Sequence, residues 1–199
     1  KNAEKRARIA RETMEIFAPL AERIGMQLLK DELEDLAFEE LYPDARATIV
    51  SRLDFLRAAA EKEDIIAAIS GELGEVLTQA GVAVELSGRE KRPFSIWRKM
   101  QTQNVEFAQL ADIMAFRIVV ESMDDCYRAL GVVHSRYPCV LGRFKDYIST
   151  PKRNGYRSLH TGIIGPERRR TEIQIRTREM HEVAEFGVAA HWQYKQELE

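Results

Sequence analysis

Thr171-Glu172-Ile173-Gln174-Ile175-Arg176 alternates polar and apolar side chains residue by residue. Successive side chains of a strand point to opposite faces, so Ile173 and Ile175 share one face and Glu172, Gln174 and Arg176 the other. Such a strand has one face to bury and one that carries a carboxylate, an amide and a guanidinium in a row. A second segment, Ile113 to Val120, is an apolar, β-branched run that also holds Arg117, with Asp112 at its start. Shorter strand signals are Val82-Val84-Leu86 and Gly162 to Ile164. Helical periodicity lies between them, near Phe94–Met100 and Met123–Tyr137. A long helix is expected from Thr177, a suitable cap, to the end of the chain. Strands mixed with helices in this irregular order predict an α+β domain, a mixed β-sheet flanked by helices.

Working outward, residues 1–80 read as an N-terminal helical segment and 81–199 as the sheet domain. The boundary is the change of period, because no linker of biased composition marks it. Ile9, Ile16, Phe17, Leu20 and Ile24 recur at helical spacing, with a kink or break expected at Pro19 and a stop at Gly25. Leu29, Leu33, Leu36, Ala37 and Leu41 form a second stripe, closed by Pro43. A third helix, capped by Asp44, carries Ile49, Leu53 and Leu56, and a fourth carries Ile65, Ile66, Ile69, Leu73, Val76 and Leu77 up to Gly81. These stripes are expected to be core.

The 199 residues are 45% hydrophobic and 31% charged, which fits a soluble globular protein rather than a disordered chain. No apolar run approaches the roughly 20 residues a membrane span needs, so no membrane is expected as a partner. The first residue is Lys, and the sequence reads as a fragment of something longer. Cys126 and Cys139 form no C-x-x-C and are expected to be free thiols in a reducing cytoplasm. Charge is segregated: residues 1–80 carry 11 basic and 17 acidic residues, and 81–199 carry 19 and 15. Between Arg136 and Arg178 stand 11 basic residues and three acids, Asp146, Glu167 and Glu172. A strip this basic has a polyanionic ligand or a solvated surface to explain it.

Three constellations could do chemistry. If the two long strands are neighbours, Asp112 and Glu172 can hold one hard cation; magnesium suits, since it takes one or two carboxylates and completes its shell with water and phosphate oxygens. Gly88-Arg89-Glu90-Lys91-Arg92 is read as following a strand and preceding a helix with Ser95, Arg98 and Lys99. Ser95 and Lys99, four apart, share a helical face, and the junction suits anionic oxygens. It is not a P-loop, because no G-x-x-x-x-G-K-[ST] occurs. The third is Phe144 to His160, turning at Asn154-Gly155, where Lys145, Lys152, Arg153, Arg157 and His160 surround Tyr156. Cations beside an aromatic face suit the phosphates and the base of a nucleotide. His181 and His191, ten apart on one helix, do not make a shared metal site, and His134 is expected to be structural.

Gly88–Met100, Asp112–Ile118, Arg143–Thr161 and Glu172–Trp192 together resemble the synthetase domain of the RelA/SpoT family, the stringent-response enzymes that make ppGpp and pppGpp. Ala18–Phe38 resembles the helical segment that joins the family's hydrolase domain to its synthetase domain. The resemblance implies a nucleotidyltransferase-like fold and a magnesium-dependent GTP/GDP pyrophosphokinase, which moves the β,γ-pyrophosphate of ATP to the 3′-hydroxyl of GDP or GTP and leaves AMP. It implies Asp112 as a magnesium ligand, and Glu172 as a second ligand, the general base, or both. Arg89, Lys91, Ser95, Lys99 and Arg117 would face ATP. Tyr156 would stack on guanine, with Lys145, Lys152, Asn154, His160, Gln174, Arg176 and His191 on the acceptor side. Arg143-Phe144-Lys145-Asp146 matches the R-x-K-D version found in bifunctional synthetase–hydrolases, yet no histidine here is followed by Asp. A cytoplasmic parent with an upstream hydrolase and downstream regulatory domains, and the ribosome reached through them, is therefore expected. Phe94, Arg157 and Arg92 depart from the Tyr, Gln and His frequent at those places in the family. Two other readings stand beside this one. One is a catalytically silent domain of the same fold that binds guanine nucleotide or RNA; the other is a general nucleotidyltransferase.

Overall fold

The computed structural model describes residues 2–59, 63–107, 113–165 and 170–187. Helices α1 (Ala3–Glu12), α2 (Ala18–Arg23), α3 (Gln27–Leu41), α4 (Pro43–Ala59) and α5 (Glu63–Gln79) come first. Then follow β1 (Glu85–Glu90), α6 (Pro93–Gln103), β2 (Met114–Val120), α7 (Met123–Arg136), β3 (Lys145–Asp146), β4 (Leu159–Ile164), β5 (Arg170–Thr177) and α8 (Arg178–Phe186). The chain divides into two compact units. One is Lys1–Leu56, Arg92–Gln109 and Glu182–Glu199; the other is Arg57–Lys91 and Leu110–His181.

The second unit is built on a five-stranded sheet in the order β1-β2-β5-β4-β3. β2 and β5 are parallel and every other pair is antiparallel, so the sheet is mixed as expected. Phe116, Ile118, Val120, Leu159, Ile163, Ile173 and Ile175 form its apolar face. Ile69, Leu73 and Leu77 of α5 and Cys126, Ala129 and Val133 of α7 join the same core. α5 ends in a Schellman motif: Gly81, at φ +72°, donates to the Thr78 carbonyl, and Val82 donates to that of Leu77. α7 starts on Ser122, whose hydroxyl accepts from the Asp125 N–H. α8 starts on Thr177, whose Oγ1 accepts from the Met180 N–H. The described part of α8 stops at Phe186, and the expected continuation lies outside the described residues.

Gly88 is not at a junction after a strand, as its neighbourhood suggested, but inside β1. A Cβ there would come within 2.5 Å of Ile66 Cγ2 and 2.7 Å of the Phe116 ring, so this strand lies on its core without a side chain between. Gly88→Ala is expected to destabilise the protein by about 1–3 kcal/mol, the cost of overpacking. Gly71, inside α5 with nothing within 4 Å, makes the control. Gly71→Ala should stabilise by about 0.5–1 kcal/mol through the helix propensity gained. Urea denaturation of both variants reads the opposite signs.

In the first unit, a π-helical turn, Thr13–Phe17, precedes Pro19 at the start of α2, which is where the break was expected. The apolar stripe of α1 and α2 is not core, and the stripe of α3 is so only in part: Ala37 is buried, and Leu33 and Leu41 are half-buried. Ile9, Ile16, Phe17, Leu20, Ile24, Leu29 and Leu36 are exposed, Leu36 to 60%. The buried residues there include Ala10, Ala18, Ala21 and Ala37, small enough for helices to approach closely. Lys30, Asp31 and Glu34 are buried as well. They are tolerable because they pair: Lys30 Nζ is 3.3 Å from Glu34 Oε2, and Arg98 Nη1 of α6 donates to Glu34 Oε1 at 3.0 Å. Phe38 of α3 and Tyr42, the residue that caps its end, pack with Phe94 and Trp97 of α6. Among the described residues no helix is long and apolar enough to cross a membrane.

Candidate active site

The register of the sheet places five residues in one row across all five strands: Ser87, Arg117, Gln174, His160 and Lys145. Paired residues of neighbouring strands share a face, and this is the face opposite the apolar core. The adjacent row is Arg89, Ala115, Glu172 and Gly162. Glu172 therefore stands between an alanine and a glycine, which leave lateral room around its carboxylate. Part of that room is taken by Arg143, whose Cβ would lie 3.1 Å from a Cβ built on Gly162.

Glu172 is the centre of the polar contacts. Its Oε2 accepts from Lys91 Nζ at 2.6 Å and its Oε1 from Gln174 Nε2 at 3.1 Å. His160 Nδ1 lies 3.8 Å from Oε1, too long for a hydrogen bond. Lys91 reaches this point because its own N–H donates to the Ile113 carbonyl at 2.9 Å, continuing the β1–β2 pairing past Glu90. Burial by itself raises the Glu172 carboxyl. The Lys91 ammonium, the Gln174 amide and His160 outweigh it and hold the group below the usual carboxylate range. His160 moves down to about 4: burial is the main cause, Lys152, Arg176 and Lys145 add to it, and Glu172 opposes. Its ring is therefore neutral at pH 7. Its Nε2 is 2.8 Å from the Tyr156 hydroxyl. With Nε2 accepting that O–H, the Nδ1 proton faces Glu172, the tautomer that suits both neighbours.

The loop between β3 and β4 lies against this row. Asp146 organises its start, with Oδ1 accepting from the N–H groups of Ile148 and Ser149 and Oδ2 from the Tyr127 hydroxyl. The turn expected at Asn154-Gly155 is present: Gly155 has φ +77°, and Asn154 Oδ1 accepts from the Tyr156 N–H at 3.2 Å. The rings of Tyr147, Tyr156 and His160 meet edge to face. Lys152 Nζ lies 4.9 Å from the Tyr147 centroid and 5.0 Å from that of Tyr156.

The sheet thus brings together Arg89, Lys91, Arg117, Lys145, Glu172, Gln174 and His160, and the loop adds Lys152, Asn154 and Tyr156. Arg176 shares the face of Glu172 but is only 2% exposed, so the guanidinium expected in an open row is buried. Ser95 and Lys99 lie on α6 in the first unit, four residues apart and half-buried. Asp112 and His191 lie outside the described residues. His134 is structural as expected, with Nε2 2.8 Å from Thr161 Oγ1. Sequence reasoning passed over Tyr147, the third ring of the cluster. It stands nine residues before Tyr156 on the far side of the turn, and only the pairing of β3 with β4 brings the two together.

The described residues hold no group of three or more metal-ligating side chains. Glu172, a half-buried carboxylate among cations, is the hard oxygen donor here, and it fits a cation that needs one or two carboxylates.

Among the described residues, the open face of the mixed sheet thus carries one ionised acid, its lysine partner, a neutral histidine and a basic tyrosine-lined loop. The chain belongs to the RelA/SpoT family: the region found in RelA and SpoT proteins matches residues 88–199. It is similar to the GTP pyrophosphokinase rsh of Brucella ovis, 52% identical over 192 residues, or 96% of this chain and 25% of that protein. It is similar to the GTP pyrophosphokinase of Streptomyces coelicolor, 48% identical over 98% of this chain and 23% of that one. The chain spans about a quarter of the length of these curated relatives. Its fold is that of the small alarmone synthetase 1 of Bacillus subtilis solved with its product pppGpp, with a TM-score of 0.54 at 23% identity over 72% of this chain and 82% of that one. A GTP pyrophosphokinase family protein of Streptococcus pneumoniae aligns with a TM-score of 0.54 at 25% identity, over 73% of this chain and 77% of that one.

Proposed function

We propose that residues 81–199 form a (p)ppGpp synthetase domain, preceded by the helical segment 1–80. The reaction is attack of the 3′-hydroxyl oxygen of GDP or GTP on the β-phosphorus of ATP. The bond from that phosphorus to the α,β-bridging oxygen breaks, and AMP leaves with the oxygen. The observation that carries this reading is Glu172, an ionised carboxylate in contact with Lys91 beside a row that holds Arg117, His160 and Lys145; the role assigned to it is to take the hydroxyl proton. Arg89, Lys91 and Arg117, with Ser95 and Lys99 of α6, are assigned to the ATP phosphates. Lys145, Lys152, Asn154, Tyr156, His160, Gln174, Arg176 and His191 are assigned to the acceptor. Phosphoryl-type transfer needs chiefly positioning and neutralised charge, and this cationic face supplies both. Glu172 with Asp112 would hold magnesium, which when bound offsets charge on the transferring group. A cytoplasmic site of action, an upstream hydrolase, downstream regulatory domains and a ribosome contact made through them belong to the same proposal.

The test is to incubate the chain with labelled ATP, magnesium and GDP, where ppGpp is expected. Guanine-nucleotide binding without product would instead select the silent binding module.

Tyr156 gives a finer test. Base stacking is worth roughly 1–3 kcal/mol by alanine substitution, so Tyr156→Ala should weaken GDP binding by about 5- to 150-fold and leave ATP binding nearly unchanged. Tyr156→Phe keeps the ring but loses the bond to His160 Nε2, and should cost less, about 0.5–1.5 kcal/mol. Calorimetry with each nucleotide and a melting curve on one preparation decide it. Equal losses for both nucleotides with a large fall in melting temperature would mean that Tyr156 only packs the loop.

A further inference from the structure

One titratable side chain near the polar face has no part in the scheme above. His181 lies on α8, one turn after its Thr177 cap. Its Nδ1 is 2.6 Å from Nη2 of Arg176. A guanidinium has donors only, so Nδ1 must offer its lone pair, and the ring in this arrangement is not an imidazolium. Arg176 is almost wholly buried on β5, on the face that carries Gln174 and Glu172. Its charge is felt at both Tyr156 and His160, the two rings assigned to the acceptor nucleotide. A buried guanidinium on a long, flexible stem keeps one orientation only where fixed acceptors hold it. The capped start of α8 makes His181 such an acceptor.

We propose that His181 is a positioning residue: it holds the Arg176 guanidinium toward the Tyr156–His160 side, so that the acceptor nucleotide meets a preset positive charge. This rests on the reading above that Arg176 belongs to the acceptor side. The residue is assigned no contact with a reacting atom, and its effect on the nucleotide passes through Arg176.

The test uses His181→Leu, which keeps volume and removes the acceptor, and His181→Asn, whose amide oxygen can stand near the place of Nδ1. KM and binding constants for GDP and ATP are measured on the whole chain. His181→Leu is expected to weaken GDP about tenfold, the scale for a lost charged hydrogen bond, and ATP less than about twofold. His181→Asn should return to within about threefold of the parent. In an Arg176→Ala background, His181→Leu should add less than about twofold, because the pair acts as one unit. A His181→Leu protein equal to the parent, equal losses for both nucleotides, or full additivity with Arg176→Ala overturns the proposal. If the leucine variant fails to fold, long-range proton–nitrogen correlation on the parent still decides, since a protonated Nδ1 on His181 at neutral pH overturns it too. A parent chain that binds no GDP and makes no ppGpp points elsewhere, to failure of the functional reading itself.

Discussion

Glu172→Gln should lower pyrophosphate transfer by about 10² or more while the protein stays folded, the scale for loss of a general base. The geometry makes this a clean substitution. Glutamine has the same shape, and the Ala115 and Gly162 neighbours impose no contact it would violate. Its amide oxygen can still accept from Lys91 Nζ, so the β1–β5 side of the site keeps its link. The negative charge, the ability to take a proton and one of the two acceptor positions are lost, so the Gln174 amide must turn over to offer its oxygen to the new NH2. Removing a negative charge from a cationic face should leave nucleotide affinity equal or stronger, so kcat falls and KM does not rise. This pattern separates a base from a binding contact. Turnover near that of the parent, measured with labelled ATP and GDP, would remove Glu172 from the reaction centre.

How far the sequence carried this can be seen residue by residue. Strict alternation at Thr171 to Arg176 gave β5, its apolar face and its polar one, because period 2 is a direct property of the extended chain. The apolar run gave β2, and the halved period gave a mixed sheet with helices. What alternation cannot supply is register. That Arg117, Gln174, His160 and Lys145 line up depends on which strands pair and with what offset. The sequence puts Gly88 at a junction after a strand, whereas it stands inside β1, where excluded volume demands a glycine. The apolar stripes of α1 to α3 show the opposite limit. Periodicity finds a stripe but not what covers it, and there the packed face is made of alanines, Phe38 and a paired set of charges. Arg176 was legible as a member of the polar row, but its burial and its bond to His181 were not, because both depend on where α8 leaves the sheet.

Lys91→Met tests the other half of the site and should be nearly as damaging. The lysine has two assignments at once: its ammonium now binds Glu172, and the proposed mechanism also gives it to the ATP phosphates. Losing one donor that stabilises developing charge costs about 10²–10³ in rate in comparable sites, so kcat/KM for ATP should fall by about 10². A second signature distinguishes the two assignments. Burial raises the Glu172 carboxyl and Lys91 is the chief group that brings it below the usual range. Without the ammonium the carboxyl must rise, and the acid limb of the pH–rate profile should move to higher pH. Stability should follow the same sign. In the parent a lowered carboxyl favours folding above its unfolded pKa and loses that contribution as the pH falls. In the variant a raised carboxyl disfavours folding at neutral pH and is relieved on protonation. The melting temperatures of the two proteins should therefore differ most near neutral pH and converge only as the pH falls below the usual carboxylate range. If the rate falls while both pH profiles stay in place, Lys91 serves the phosphates alone and Glu172 is held ionised by other groups. If the rate falls by less than about threefold and neither profile moves, the 2.6 Å contact is a surface ion pair, and Lys91 drops out of the site.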